Sequence, residues 1–326
     1  MSSIPYSRYL FYPVTWYSFL IVMGASLALF LSIREEKRTS LSKDTVLDLA
    51  LRIIPAGIIG ARIYYVVFSF SQFQDDLFSV FRIWEGGLAI YGGVIAGFLS
   101  LLIFCRRRRL PVLLLCDIIA PGLCLAQSIG RWGNWFNIEA YGFIIRDPSL
   151  CFFPMAVQVP ADGYAWHLAT FFYESLWDFL IFLFLTVARR RHLYRTGDVF
   201  FFYLFLYAAG RLVIEELRTD SLLASSVRIS QLLSAALCLG LLLRYWYTAR
   251  LNLSGHPVIR YFLFPCAVMA CMLAFLYSLI GFPFTGLHSV QIVLFLACCS
   301  VLMISGLFFL YTLQMRKDDS HADDAA

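Results

Sequence analysis

Residues 130–142 read Gly130-Arg131-Trp132-Gly133-Asn134-Trp135-Phe136-Asn137-Ile138-Glu139-Ala140-Tyr141-Gly142, directly after an apolar run from Leu110 to Ile129. The change of character is abrupt. Arg131, Asn134, Asn137 and Glu139 follow one another at spacings of three, three and two. If the helix continues, Arg131 and Asn134 share a face and Asn137 lies slightly off it. Charged and amide groups at the end of a membrane helix are costly unless they line a polar cavity or bind something polar. The stretch therefore marks both the end of a span and a candidate site.

Of the 326 residues, 60% are hydrophobic, 17% aromatic and only 14% charged. A soluble domain carries about 25% charged residues, so a water-soluble globule is excluded. An integral membrane protein is expected, without a cleavable signal peptide, because Met1–Arg8 leads straight into a full-length span. The net charge of +5 comes from loops and points to no nucleic-acid partner. Of nine cysteines, eight lie in apolar runs and none has C-x-x-C spacing, so they read as small core residues. No metal and no cofactor are expected.

A span needs about 20 apolar residues. Nine are expected, at 13–33, 46–70, 86–105, 110–130, 168–188, 198–217, 227–247, 261–282 and 288–314. The fold class is all-α, a polytopic membrane helix bundle. Residues 1–250 form its main domain, with an extracytoplasmic segment at about 131–166; 251–315 add two helices, and 316–326 form a short polar tail. Seventeen of the 26 basic residues fall in one set of alternate loops, including Arg106–Arg109 and Arg189–Arg191. By the positive-inside rule the N-terminus is outside and the C-terminus cytoplasmic. With that orientation Tyr17, Arg62, Tyr91, Arg131, Tyr173, Glu174, Arg211 and Glu215 all fall in the outer half of the bilayer. Asp48 and Arg52 fall at the cytoplasmic end, while Asp117 and Asp178 are less easily placed. A polar cavity open to the outer leaflet is expected.

The pattern Gly-Arg-x-Gly-Asn-x-x-Asn-x-Glu-x-x-Gly resembles the hallmark of prolipoprotein diacylglyceryl transferases. That family moves a diacylglyceryl group from phosphatidylglycerol to the cysteine thiol of a lipoprotein precursor. Other segments are similar to family blocks: Trp16-Tyr17, Gly60-Ala61-Arg62-Ile63-Tyr64-Tyr65, Trp84 to Gly93, and Tyr207 to Arg218. In the glycine-paired block the family often carries histidine where this chain has Tyr91. The family's His-Pro-x-x-Leu-Tyr-Glu is matched by His167-Leu-Ala-Thr-Phe-Phe-Tyr173-Glu174, with the histidine displaced and no proline. Glu174, not His167, is the expected orienting partner. The resemblance spans residues 12–247, seven spans, and leaves the last two without a counterpart.

Each block also has a plain structural reading. Gly93 and Gly97 form a G-x-x-x-G pair that suits helix packing. Arg62 could pair with a buried glutamate, Glu174 or Glu215. Arg211, Glu215 and Arg218 lie at i, i+4 and i+7 and could be an intrahelical ion-pair stripe. Tyr17 could be an interfacial aromatic.

The resemblance implies a mechanism. Phosphatidylglycerol enters from the outer leaflet, and the lipobox cysteine of the prolipoprotein supplies the nucleophile. Arg131 and Arg211 bind the phosphodiester and stabilise the departing glycerol phosphate, since the planar guanidinium suits phosphate. Tyr91 takes part in proton transfer or orients substrate. Tyr17, Arg62, Asn134, Asn137, Glu139, Gly142, Glu174 and Glu215 hold the substrate or the arginines. The expected counter-ion of the arginines is a lipid phosphate and not a neighbouring carboxylate. Two other readings stay open: a divergent relative with another acceptor or no catalysis, and an anion or lipid transporter.

Overall fold

The computed structural model describes residues 7–74, 76–190, 195–219, 223–224, 227–249, 266–270, 272–274 and 296–307. It is mostly helical: α1 (Trp16–Glu36), α2 (Thr45–Phe68), α3 (Ile90–Arg108), α4 (Val112–Asn137), α5 (Thr170–Arg190), α6 (Asp198–Leu217) and α7 (Ile229–Ala249). Three short antiparallel strand pairs lie before α1, between α4 and α5, and between α6 and α7. They are β1 (Tyr9–Phe11) with β2 (Val14–Thr15), β3 (Ala156–Val159) with β4 (Ala165–Leu168), and β5 (Leu223–Ala224) with β6 (Val227–Arg228). Among the described residues five helices, α1, α3, α4, α5 and most of α7, are long and apolar enough to cross a membrane. The other two, α2 and α6, have 24 and 20 residues; α2 carries Asp48, Arg52 and Arg62, and α6 carries Arg211 and Glu215. The eighth and ninth expected spans fall mostly outside the described residues. Within them, 266–270, 272–274 and 296–307 are helical.

The fourth span was expected to end at residue 130, but α4 runs on to Asn137. Arg131, Asn134 and Asn137 therefore project from a helix, and Glu139 follows just beyond it. It is stopped by left-handed backbone at Ile138 (φ 59°) and again at Ala140 (φ 57°). A β-branched residue rarely adopts that conformation, and two hydrogen bonds hold it. The Glu139 amide donates to the Asn134 carbonyl (3.0 Å), and the Thr170 hydroxyl to the Ala140 carbonyl (2.6 Å).

The chain divides into two compact units, Ser26–Gly122 and Met1–Ala25 with Leu123–Ala326. In the first, α2 packs along α3. A Cβ on Gly60 would stand 2.7 Å from the Gly92 carbonyl oxygen, and one on Gly92 would be closer still to that of Gly60. Small residues let membrane helices approach backbone to backbone. Gly93 and Gly97, the expected G-x-x-x-G pair of α3, also face α2, but less tightly: an added Cβ would meet its nearest atoms, on Gly57 and Ile53, at 3.4 and 3.5 Å. At the far end of the pair Arg108 bonds Asp48 (2.5 Å), and Arg52 and Arg108 both lie over the Phe104 ring.

In the second unit α6 is the central helix: Phe202, Phe205, Ala208, Ala209 and Leu212 are at most 1% exposed. Polar bonds fix its neighbours. Ser128 on α4 and Ser175 on α5 donate to each other's carbonyls (2.8 Å each). Tyr203 on α6 donates to Gln127 on α4 (3.0 Å), and the Trp177 indole donates to the Leu206 carbonyl (2.9 Å). Trp177 also packs against Gly210, where a Cβ would run into its ring. On the other side of α6, Tyr245 of α7 donates to Asp198 (2.8 Å) and Ser300 donates to the Ala209 carbonyl (3.1 Å). The C-terminal helical stretch thus packs on the backbone of α6.

Candidate functional site

The end of α4, the start of α5 and the end of α6 converge on one carboxylate. Glu174, 4% exposed, faces three arginines. Arg131 on α4 lies 2.7 Å from Oε2, Arg211 on α6 donates to Oε1, and Arg218 just beyond α6 lies 3.2 Å from Oε1. Arg211 uses its second nitrogen on Glu215 (2.5 Å), one turn along its own helix. An intrahelical pair is therefore present, but it is one edge of a network across three helices. The counter-ion expected for the arginines was a lipid phosphate alone. Instead, Glu174 already sits between Arg131 and Arg211. Buried guanidinium groups need such a partner, because an isolated charge in a dry interior is far too costly.

Beside the network lies a small cavity lined by Arg131, Glu174, Trp177, Asp178, Tyr207, Arg211 and Ile214. Asp178, left unplaced by the sequence, is 2% exposed and lines this cavity. The sequence signal was there: Asp178 lies four residues after Glu174 and so on the same face of α5.

At the end of α4 the remaining motif residues gather. Asn137 donates to Glu139 (3.2 Å), and Asn134 is 9% exposed. The Tyr17 ring lies across Gly133, where a Cβ would be 2.6 Å from it, within electrostatic reach of Arg131 and Glu139. Trp16 stacks on Phe136, ring centroids 4.9 Å apart. Below them Trp132, Trp135, Phe153, Phe171 and Phe172 form an aromatic cluster around Val157 and Ala169.

Two positions serve the protein itself. Gly142 donates its amide to Leu168 (2.9 Å) and accepts His167 Nδ1 at its carbonyl (2.8 Å). A Cβ there would lie 2.5 Å from the Leu217 carbonyl, so the absence of a side chain at Gly142 lets the segment close onto α6. His167 is likewise structural: Nδ1 faces Gly142, and Nε2 faces Asp162 at 3.0 Å. In the same connection between α4 and α5 the Ser149 hydroxyl and amide bond Asp147 and hold its carboxyl below the usual range.

Arg62 and Tyr91 belong to the other unit. The hydrogen-bond partners of Arg62 lie within its own unit. All five of its N–H donors go to carbonyls, those of Ser79 (2.6 Å), Val80 (2.8 Å), Arg82 (3.4 Å), Gly86 (2.6 Å) and Gly87 (3.1 Å). Its guanidinium also lies over Phe73. Arg62 thus gathers the loop between α2 and α3, and Gly86 and Gly87, at φ 95° and 71°, let the chain turn around it. Tyr91 opens α3 and its ring leans on Tyr64, 6.5 Å between centroids.

The family profile described as prolipoprotein diacylglyceryl transferase matches residues 7–247. The chain belongs to this family. A phosphatidylglycerol–prolipoprotein diacylglyceryl transferase of Limosilactobacillus reuteri (strain DSM 20016) is 46% identical over 231 residues, 68% of this chain and 82% of that protein. Proteins of the same name from Streptococcus suis (strain 05ZYH33) and Pediococcus pentosaceus (strain ATCC 25745) are 44% and 43% identical. They cover 69% and 70% of this chain and 85% and 83% of their own. The matched residues contain the whole arginine network and stop before the C-terminal helical stretches. Together with its long apolar helices, this makes the chain a multi-pass membrane protein of a bacterial transferase family.

Proposed function

We propose that this protein transfers the diacylglyceryl group of phosphatidylglycerol to the lipobox cysteine thiol of a prolipoprotein, forming a thioether and releasing glycerol phosphate. The observation that carries the reading is the pair Arg131 and Arg211, held on one glutamate and lining one cavity. Donors fixed in a dry site stabilise charge that develops as the reaction proceeds, at roughly 3–4 kcal/mol each. Here that charge is the second negative charge of glycerol phosphate as its C–O bond breaks.

Glu174, Glu215 and Arg218 fix the two arginines, and Asn134, Asn137, Glu139 and Tyr17 hold the headgroup. Tyr91 offers a hydroxyl to orient substrate. An ordinary tyrosine, with a pKa near 10, is a poor base at neutral pH. Arg62 acts through the loop it gathers and not by touching phosphate. The N-terminus lies outside, the site opens to the outer leaflet of the cytoplasmic membrane, and seven spans are followed by two more. The positive-inside count and the polar residues at matching depth support this.

The test is mass spectrometry of a lipobox peptide incubated with phosphatidylglycerol and the purified protein. Addition of a diacylglyceryl mass to the cysteine is expected, and Arg131→Ala abolishes it while the protein still inserts. Normal turnover by that variant would remove Arg131 from the reaction.

A further inference from the structure

We propose that Asp178 is the base that takes the proton of the acceptor cysteine, an inference that rests on the transferase reading above. A thiol attacks as its thiolate, and a free cysteine with a pKa near 8.5 is mostly protonated at neutral pH. The reaction therefore needs a proton acceptor beside the phosphodiester. Three acids stand in or next to the cavity. Glu174 is held by three arginines and Glu215 by Arg211, so both are committed as counter-ions.

Asp178 differs from both. Its side chain is 98% buried by its exposure of 2%, yet among the described residues neither a hydrogen bond nor an ion pair reaches Oδ2. Buried carboxylate oxygens are nearly always satisfied, and an exception in a cavity wall calls for a ligand or a catalytic role. The groups facing the cavity with it are Arg131 from α4, Tyr207, Arg211 and Ile214 from α6, and Glu174 and Trp177 from its own helix. The Cys124 thiol donates to the Asp178 carbonyl (3.0 Å), which fixes the backbone and leaves the carboxylate alone. An acceptor thiol in the cavity finds a proton acceptor on α5 and the phosphate-binding arginines on α4 and α6.

The step balances. The S–H proton passes to Asp178 Oδ2, and the sulfur lone pair attacks the glyceryl carbon that carries the phosphoester. A C–S bond forms and the C–O bond breaks, its electron pair leaving with the oxygen of glycerol phosphate. The new negative charge lies between Arg131 and Arg211. The proton then passes from Asp178 to the departing phosphate, which restores the carboxylate.

The experiment compares two lipobox peptides, one with cysteine and one with selenocysteine, whose selenol is ionised at neutral pH and needs no base. Full-length protein in phosphatidylglycerol vesicles is used, with Asp178→Asn and, as a second variant of different shape, Asp178→Ser. For both variants transfer to the cysteine peptide falls at least a hundredfold, the usual scale of a lost general base. Transfer to the selenocysteine peptide stays within tenfold of the unsubstituted protein. Equal losses on both peptides, including loss of all activity through misfolding of both variants, would overturn the assignment, as would full activity on the thiol. If the unsubstituted protein modifies neither peptide, the transferase reading itself fails and takes the inference with it.

Discussion

Arg131 and Arg211 close on opposite oxygens of the same Glu174 carboxylate, Arg131 on Oε2 and Arg211 on Oε1. The two helices that carry them, α4 and α6, are far apart in sequence, and one acid from α5 sets the spacing of their guanidinium groups. A ligand phosphate that binds both arginines meets a pair already in place.

Glu174→Gln tests that preorganisation. Glutamine keeps the shape but leaves three guanidinium groups around a neutral amide. Removing one partner of a buried ion pair costs about 3–5 kcal/mol. A lower thermal unfolding midpoint in detergent and at least a hundredfold slower transfer are expected. An unchanged midpoint would show that Glu174 does not hold the arginines.

Arg211→Lys separates fork geometry from charge. Arg211 reaches Glu174 with Nη1 and Glu215 with Nη2. A lysine ammonium is a point charge without the planar fork and cannot hold both carboxylates and a phosphate. Transfer is expected to fall by two orders of magnitude or more with positive charge retained. Wild-type rates would mean that only the charge matters at this position.

Arg62→Lys is expected to loosen the loop between α2 and α3. Lysine has three donors, against the five carbonyl bonds Arg62 makes. Hydrogen exchange of the amides in 76–89 should speed up at least tenfold, about 1.4 kcal/mol of local stability. Unchanged protection would locate the loop's stability elsewhere.

The glycines of α2 and α3 give a paired prediction. Gly92→Ala places a methyl against the Gly60 backbone, which cannot yield without separating the helices, so a loss of about 1–3 kcal/mol is expected. Gly93→Ala, with its nearest atom at 3.4 Å, should change the unfolding midpoint far less. Equal effects would contradict the close approach at Gly60–Gly92.

Gly133→Ala displaces the Tyr17 ring, which occupies the space its Cβ would take. Slower transfer with little change in thermal midpoint is expected. A rate equal to that of the unsubstituted protein would separate Tyr17 from the headgroup site.

Amino-acid order alone was enough for the helices α1 to α7 and for singling out Arg131, Glu174, Arg211 and Glu215, which meet in one network. Hydropathy is a local property, and about 20 apolar residues in a row leave the backbone in lipid no alternative to a helix. The i, i+4 link between Arg211 and Glu215 was legible for the same reason, since one helix fixes both side chains. Three matters were decided only by tertiary structure, because each depends on which residues of different segments meet. Arg62 spends its donors on loop carbonyls, Gly92 and not Gly93 faces Gly60, and Glu174 gathers arginines from α4 and α6 while Asp178, one turn away, stays uncommitted. Periodicity names the face of a helix on which a side chain lies, but the partner waiting there is set by how the helices pack.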